Sequence, residues 1–178
     1  MERDIARVLL SEEQIQNRIA ELGRELMADY ADKNPIFVGV LKGVVVFYAD
    51  MIRAFPAPCQ LDFMWISSYK GTQSGEMQVR QDVTADIQGR HVVILEDILD
   101  SGRSLQFTYQ HLLDKGAASV RICTLLDKPE GRKPGITIQA DYVGFTIPNE
   151  FVVGFGLDYN ERYRNLPYVG ILKPEVYE

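Results

Sequence analysis

Three carboxylates crowd one short stretch of the chain, "VVILEDILDSGRSL" at 92–105, where Glu96, Asp97 and Asp100 follow directly on an apolar run. Unpaired charge beside a buried strand is costly to desolvate, so the pattern demands a compensating partner. Directly behind the acids stand Ser101, Gly102, Arg103 and Ser104. They supply hydroxyls, a glycine able to take positive φ, and backbone amides leading into a helix start, all of which favour an anion. A bare phosphate would be repelled by Glu96 and Asp97. A sugar phosphate resolves the conflict, with its monoester on the amides and its vicinal hydroxyls donating to the carboxylates. The chain has no G-x-x-x-x-G-K-[ST] loop and no calcium-loop spacing, which excludes two other origins of an acidic, glycine-containing turn. An acidic strand end before an N-capped helix is the remaining alternative, and three acids so close together weigh against it.

These residues need a frame. The pattern Ile15, Ile19, Leu22, Leu26 within 11–30 predicts an amphipathic helix, opened by a capping box of Ser11 and Gln14. Residues 35–41, 60–66, 91–95 and 119–126 read as strands, with helices over 44–55 and from Ser104 to Lys115, stopped by Gly116. Strands alternating with helices imply parallel βαβ units, with ligands gathered at strand carboxyl ends: here after Val40, Leu95 and Leu126. The polar segment 67–90 has no clear period and reads as a long functional loop. Beyond residue 140, "DYVGF", "FVVGFGLDYN" and "YVGIL" are strand-like pieces without intervening helices, predicting a lobe or an edge addition.

With 178 residues, 46% of them hydrophobic, one domain over 1–178 is expected. A net charge of −6 argues against a general nucleic-acid or membrane surface, and no run approaches a membrane span. The cytoplasm is the default, with Cys59 and Cys123 as reduced core residues.

The acidic segment closely resembles the diphosphoribosyl-binding signature of type I phosphoribosyltransferases: apolar strand, two acids, two apolar residues, then Asp-Ser/Thr-Gly-x-Ser/Thr. Further segments resemble the hypoxanthine-guanine branch of that family: "LKG" at 41–43, "SSY" at 67–69, "DK" at 127–128 and "EFVVGFGLDYNERYRNL" at 150–166. The resemblance implies an α/β fold, a central, mostly parallel twisted sheet flanked by helices, with a small hood lobe from the N- and C-terminal segments. It implies purine salvage: transfer of the phosphoribosyl group from phosphoribosyl diphosphate to N9 of a 6-oxopurine, giving IMP or GMP and pyrophosphate, with magnesium as cofactor. Family relatives are usually dimers or tetramers, so a homo-oligomer acting on small molecules is expected, without a membrane or nucleic-acid partner.

The same resemblance assigns roles. Asp100 handles the proton near purine N7, its alternative being a helix N-cap, a task Ser101 or Ser104 could fill. Glu96 and Asp97 hold the ribose hydroxyls directly or through magnesium, and Ser101, Gly102, Arg103 and Ser104 bind the 5-phosphate largely through amides. Lys42 and Gly43 take the diphosphate; the family commonly has a glycine where this chain has Val44, and the peptide before the lysine can be cis. Lys128 donates to the purine O6, which adenine's amino group cannot replace. Phe151 stacks on the base and Val152 meets its 2-position edge, although both also read as core residues. Asp158, otherwise a turn residue, ligates magnesium, and Arg164 contacts pyrophosphate. Ser68 and Tyr69 lie near the diphosphate in a mobile loop, about 67–90, that excludes water. The alternative from another class is a regulatory protein that binds the same diphosphate and acts on nucleic acid.

Overall fold

The computed structural model describes residues 1–68 and 76–178. Its frame is a six-stranded sheet built from β2 (Ile36–Leu41), β3 (Gln60–Ser68), β4 (Met77–Gln81), β5 (His91–Leu99), β6 (Ser119–Asp127) and β7 (Tyr142–Thr146), in the order β4-β3-β2-β5-β6-β7. All pairings are parallel except that of β3 with β4. The central strands are apolar on both faces because both faces are covered. Alternate residues go to opposite cores: Phe37, Val93 and Cys123 to one, and Ile36, Val38, Ile94 and Ile122 to the other. Each fully buried branched side chain contributes roughly 1.5–3 kcal/mol.

Helices α1 (Glu12–Tyr30) and α2 (Val45–Arg53) cover the first core, while α3 (Arg103–Asp114) covers the second through Leu105 and Leu112. The capping box is formed: Gln14 N–H donates to Ser11 Oγ at 3.2 Å, and Ser11 N–H donates to Gln14 Oε1 at 2.9 Å. The predicted stripe of α1 is buried throughout, from Ile15 to Leu26. Its Arg18 reaches β7, donating to the carbonyls of Val143 at 2.7 Å and Gly144 at 3.0 Å. Val44 precedes α2 at φ −62°, a helical conformation any residue adopts, so the position does not require glycine.

A second, three-stranded antiparallel sheet has the order β1-β9-β8, from β1 (Ile5–Leu10), β9 (Val169–Leu172) and β8 (Val152–Val153). It joins the two ends of the chain, as the expected hood does, while β7 is the edge addition. Cys59 and Cys123 are free thiols, the second fully buried. Among the described residues no helix is long and apolar enough to cross a membrane.

Three expectations need correction. Residues 67–90 are not one long loop: Ser67 and Ser68 finish β3, and β4 returns beside it as a hairpin arm. The alternation Met77-Gln78-Val79-Arg80 is the only apolar signal of β4, a four-residue run at the lower limit for a strand and set within a polar segment. The arm's return is fastened by Asp62, a buried carboxylate that accepts from the N–H groups of Thr84 at 2.9 Å and Ala85 at 2.8 Å. Secondly, Glu96 and Asp97 are not in a turn after the strand but inside β5, paired alongside Thr124 and its neighbours in β6. Finally, neither Ser101 nor Ser104 caps α3; Gly102 holds the N-cap position at φ 78°, where only a residue without Cβ is unstrained.

Candidate active site

From the centre of the sheet the chain winds two ways. The crossover through α2 carries β2 to β3 on one side, and the one through α3 carries β5 to β6 on the other. Strands β2 and β5 are therefore the switch point, where a crevice opens at the carboxyl ends. In that crevice lies a cavity of about 370 Å³, and the chemistry-bearing residues on its wall are Lys42, Gly43, Glu96, Asp97, Ser104, Asp158 and Arg164. A larger cavity of about 580 Å³ beside α3 has no carboxylate on its wall, so it does not offer the same chemistry.

The floor is acidic. Glu96 and Asp97 are 8% and 9% exposed. Burial first, then the neighbouring Asp97 charge, pushes Glu96 well above the ordinary carboxylate range. Asp97 is also raised by burial, against the lowering effect of Glu96, the Ile98 N–H at 2.7 Å and the Arg164 charge. Two such acids fit a ligand that brings hydroxyl donors or a cation.

One wall is the Leu41–Lys42–Gly43 turn, whose Leu41–Lys42 peptide is cis. Gly43 must be glycine: a Cβ there would stand 2.0 Å from Asp97 Oδ2. On the far side, a Cβ on Gly156 would stand 2.0 Å from the Gly43 carbonyl, so backbone touches backbone across the crevice. The opposite wall is the tight segment 154–163, which carries positive φ at Phe155, Asn160, Glu161 and Tyr163. Asp158 is a turn residue accepting from Glu161 N–H at 2.9 Å, and its carboxylate also lies on the cavity wall. It pairs with Arg164 at 3.1 Å, and Arg164 also donates to the Gly156 carbonyl at 2.8 Å. Arg164 Nε is buried and, among the described residues, has no hydrogen-bond partner. Glu161, exposed, pairs with both basic residues of the cavity wall, 3.1 Å from Lys42 and 3.5 Å from Arg164.

Beside the cavity, at the ends of β5 and β6, Lys128 Nζ donates to Asp100 Oδ2 at 2.9 Å. The helix-cap alternative for Asp100 therefore fails, since its carboxylate faces Lys128. Gly102 and Arg103 turn the chain into α3, and Ser101 sits just ahead with its hydroxyl 3.5 Å from Arg103 N. Phe151 and Val152 do not line the cavity. Val152 is buried in the hood sheet, as its core reading has it, whereas Phe151 is 37% exposed and stacks on Tyr177 with ring centres 4.8 Å apart. Ser68 ends β3 away from the cavity wall, and Tyr69 lies outside the described residues. Nothing local singles out Arg132, Gly156, Glu161 or Tyr177, whose contacts with Leu99, Gly43, Lys42 and Phe151 are made across the fold.

For a metal ion, Glu96 and Asp97 on the floor and Asp158 on the wall offer hard oxygens to the same cavity. Among the described residues no three or more His, Cys, Asp or Glu side chains are grouped to hold an ion by themselves. That sparse set fits magnesium, which takes one or two carboxylates and completes its shell with water and phosphate oxygens.

The model of the family described as phosphoribosyl transferase domain matches residues 9–160. The chain is 52% identical to a hypoxanthine-guanine phosphoribosyltransferase of Streptococcus pneumoniae, over 99% of this chain and 98% of that protein. It is 54% identical to the bifunctional protein TilS/HprT of Listeria innocua, but spans only 27% of that protein's length. Among solved structures, a hypoxanthine phosphoribosyltransferase from Staphylococcus aureus superposes with a TM-score of 0.95 at 48% identity, covering 100% of this chain and 97% of that one. A hypoxanthine phosphoribosyltransferase from Trypanosoma cruzi, solved in complex with the product IMP, gives 0.91 at 38% identity, covering 98% and 97%.

Proposed function

The chain belongs to the phosphoribosyl transferase family, in its hypoxanthine-guanine branch, and on that premise we propose that it transfers the phosphoribosyl group of phosphoribosyl diphosphate to N9 of hypoxanthine or guanine. The observation that carries the reading is the single cavity on whose wall Lys42, Glu96, Asp97, Ser104, Asp158 and Arg164 meet. Glycosyl transfer through a cation-like transition state needs a stabilised leaving diphosphate, exclusion of water and one proton removed.

In this reading Lys42, Gly43 and Arg164, all on the cavity wall, hold the diphosphate. Glu96 and Asp97 orient the ribose through its hydroxyls. The amides from Ser101 to Ser104 hold the 5-phosphate at the start of α3. Lys128 donates to O6 while Asp100, already bonded to it, takes the N7 proton. Phe151 offers a partly exposed ring face to the base, and Val152 its backbone. Bound magnesium would supply charge neutralisation on the departing diphosphate, held by Asp158 with the ribose acids. Exclusion of water falls to the β3–β4 arm, whose strand β3 contributes Ile66 to the cavity wall. A cytoplasmic location and a homodimer or homotetramer belong to the same proposal.

The test is an absorbance assay with phosphoribosyl diphosphate, magnesium and each base in turn. Turnover of hypoxanthine and guanine, without adenine or uracil, is expected. Turnover of no base would defeat the proposal in favour of a regulatory protein.

A further inference from the structure

We propose that Arg132 is a positioning residue that locks the purine-reading end of the site to the loop that holds the phosphoribosyl group; the inference rests on the function proposed above. Residues 129–135, "PEGRKPG", are rich in turn-forming proline and glycine. In the structure the Arg132 guanidinium is mostly buried and spans two strand ends. Its Nη1 donates to the carbonyls of Leu99 at 2.6 Å, Asp100 at 2.8 Å and Lys128 at 3.1 Å, and its Nη2 pairs with Asp127.

Two of the three residues whose carbonyls it gathers, Asp100 and Lys128, are also the two whose side chains meet at 2.9 Å. The backbone repeats the tie: Lys128 N–H donates to the Leu99 carbonyl at 3.0 Å, and Lys133 N–H to the Ser101 carbonyl at 3.1 Å. Packing allows no slack, for a Cβ on Gly131 would fall 1.7 Å from Asp100 Oδ1.

Neighbouring parallel strands diverge by twist at their ends, so the separation of Asp100 from Lys128 is not set by the ladder alone. A planar fork with five donors can hold three carbonyls and a carboxylate together; an ammonium on a flexible stem cannot. Arg132 touches no reacting atom. It fixes the distance between the O6 donor and the N7 base, and ties both to the loop before α3.

The test compares wild type with Arg132→Ala and Arg132→Lys, using hypoxanthine and adenine as competing bases and urea unfolding to correct for folded fraction. Arg132→Ala is expected to raise the hypoxanthine KM and shrink the preference over adenine, each on the order of tenfold, with Arg132→Lys intermediate and free guanidinium restoring part of the loss in the alanine variant. A kcat that falls only in step with the folded fraction, with KM and base preference unchanged, would overturn the inference. Should Arg132→Ala fail to fold, Arg132→Lys decides by the same split between KM and kcat. A wild type that turns over neither base removes the functional premise and the inference with it, an outcome distinct from normal wild-type turnover with unaltered variants.

Discussion

Truncating Asp62 to alanine takes the acceptor away from the N–H groups of Thr84 and Ala85, bonded at 2.9 and 2.8 Å, and from the weaker Thr84 hydroxyl contact at 3.4 Å. The Phe63 N–H, at 2.8 Å on the other carboxylate oxygen, is a local contact that water or a small rotation replaces more easily. Hydrogen bonds to an ionised acceptor are each worth about 1.5–3 kcal/mol. Two good ones, discounted because the amides are only partly buried, give a loss of about 3 kcal/mol. Against a typical total of about 5–15 kcal/mol this is severe, and it corresponds to a fall in Tm of roughly 6–12 °C for a domain of this size. Asp62→Asn isolates the geometry. Whichever way the amide is turned, its NH2 faces a backbone N–H, so about half the alanine loss is expected even though the volume is unchanged. Urea unfolding with two probes gives both values. An alanine variant with the wild-type midpoint and slope would refute the reasoning, because it would mean that the β3–β4 arm is not fastened through this carboxylate.

Three further outcomes are expected. Lys128→Ala should raise the KM for hypoxanthine and cut its preference over adenine by about two orders of magnitude, measured by competing-base kinetics, since the O6 donor is lost and Asp100 is left without its partner. Gly43→Ala should destabilise by about 1–3 kcal/mol and weaken donor binding, read by calorimetry, because its Cβ would displace the Asp97 carboxylate 2.0 Å away; unchanged donor affinity would contradict this. Asp82 is partly buried, which alone would raise its carboxyl, but His111 at 3.0 Å, the Val83 N–H and Lys115 at 3.2 Å together hold it below its ordinary value near 3.8. A depressed carboxyl stabilises the fold above its ordinary value and loses that contribution as pH falls through the lowered one, so stability should drop below about pH 4. Asp82→Asn should flatten that limb in urea titrations between pH 2.5 and 6, with both limbs equal if the contacts contribute nothing.

What the chain announced in advance were features whose physics is local. The stripe from Ile15 to Leu26, the Ser11–Gln14 box and the acids after an apolar run each follow from spacing within a dozen residues. The hairpin arm is hard to read because its alternation, Met77-Gln78-Val79-Arg80, is only four residues long within a polar segment, and its place is set by the partner strand. The extent of β5 was missed because Glu96 and Asp97 read as a turn, although their backbones continue the ladder with β6. Arg132 and Glu161 were invisible for a different reason. Their partners lie up to 33 and 119 positions away, and charge in a sequence does not say which charge it will meet.

Any sheet of this kind has two open borders, and each is a template on which another chain can pair. At β4 the border is short and studded with Gln78, Arg80 and Gln81; at β7 the Arg18 guanidinium sits on two carbonyls. The contact between α1 and β7 therefore guards the protein against edge-to-edge aggregation, and a charge-removing change at Arg18 would show itself first as turbidity at high concentration or on refolding, before any loss of chemistry.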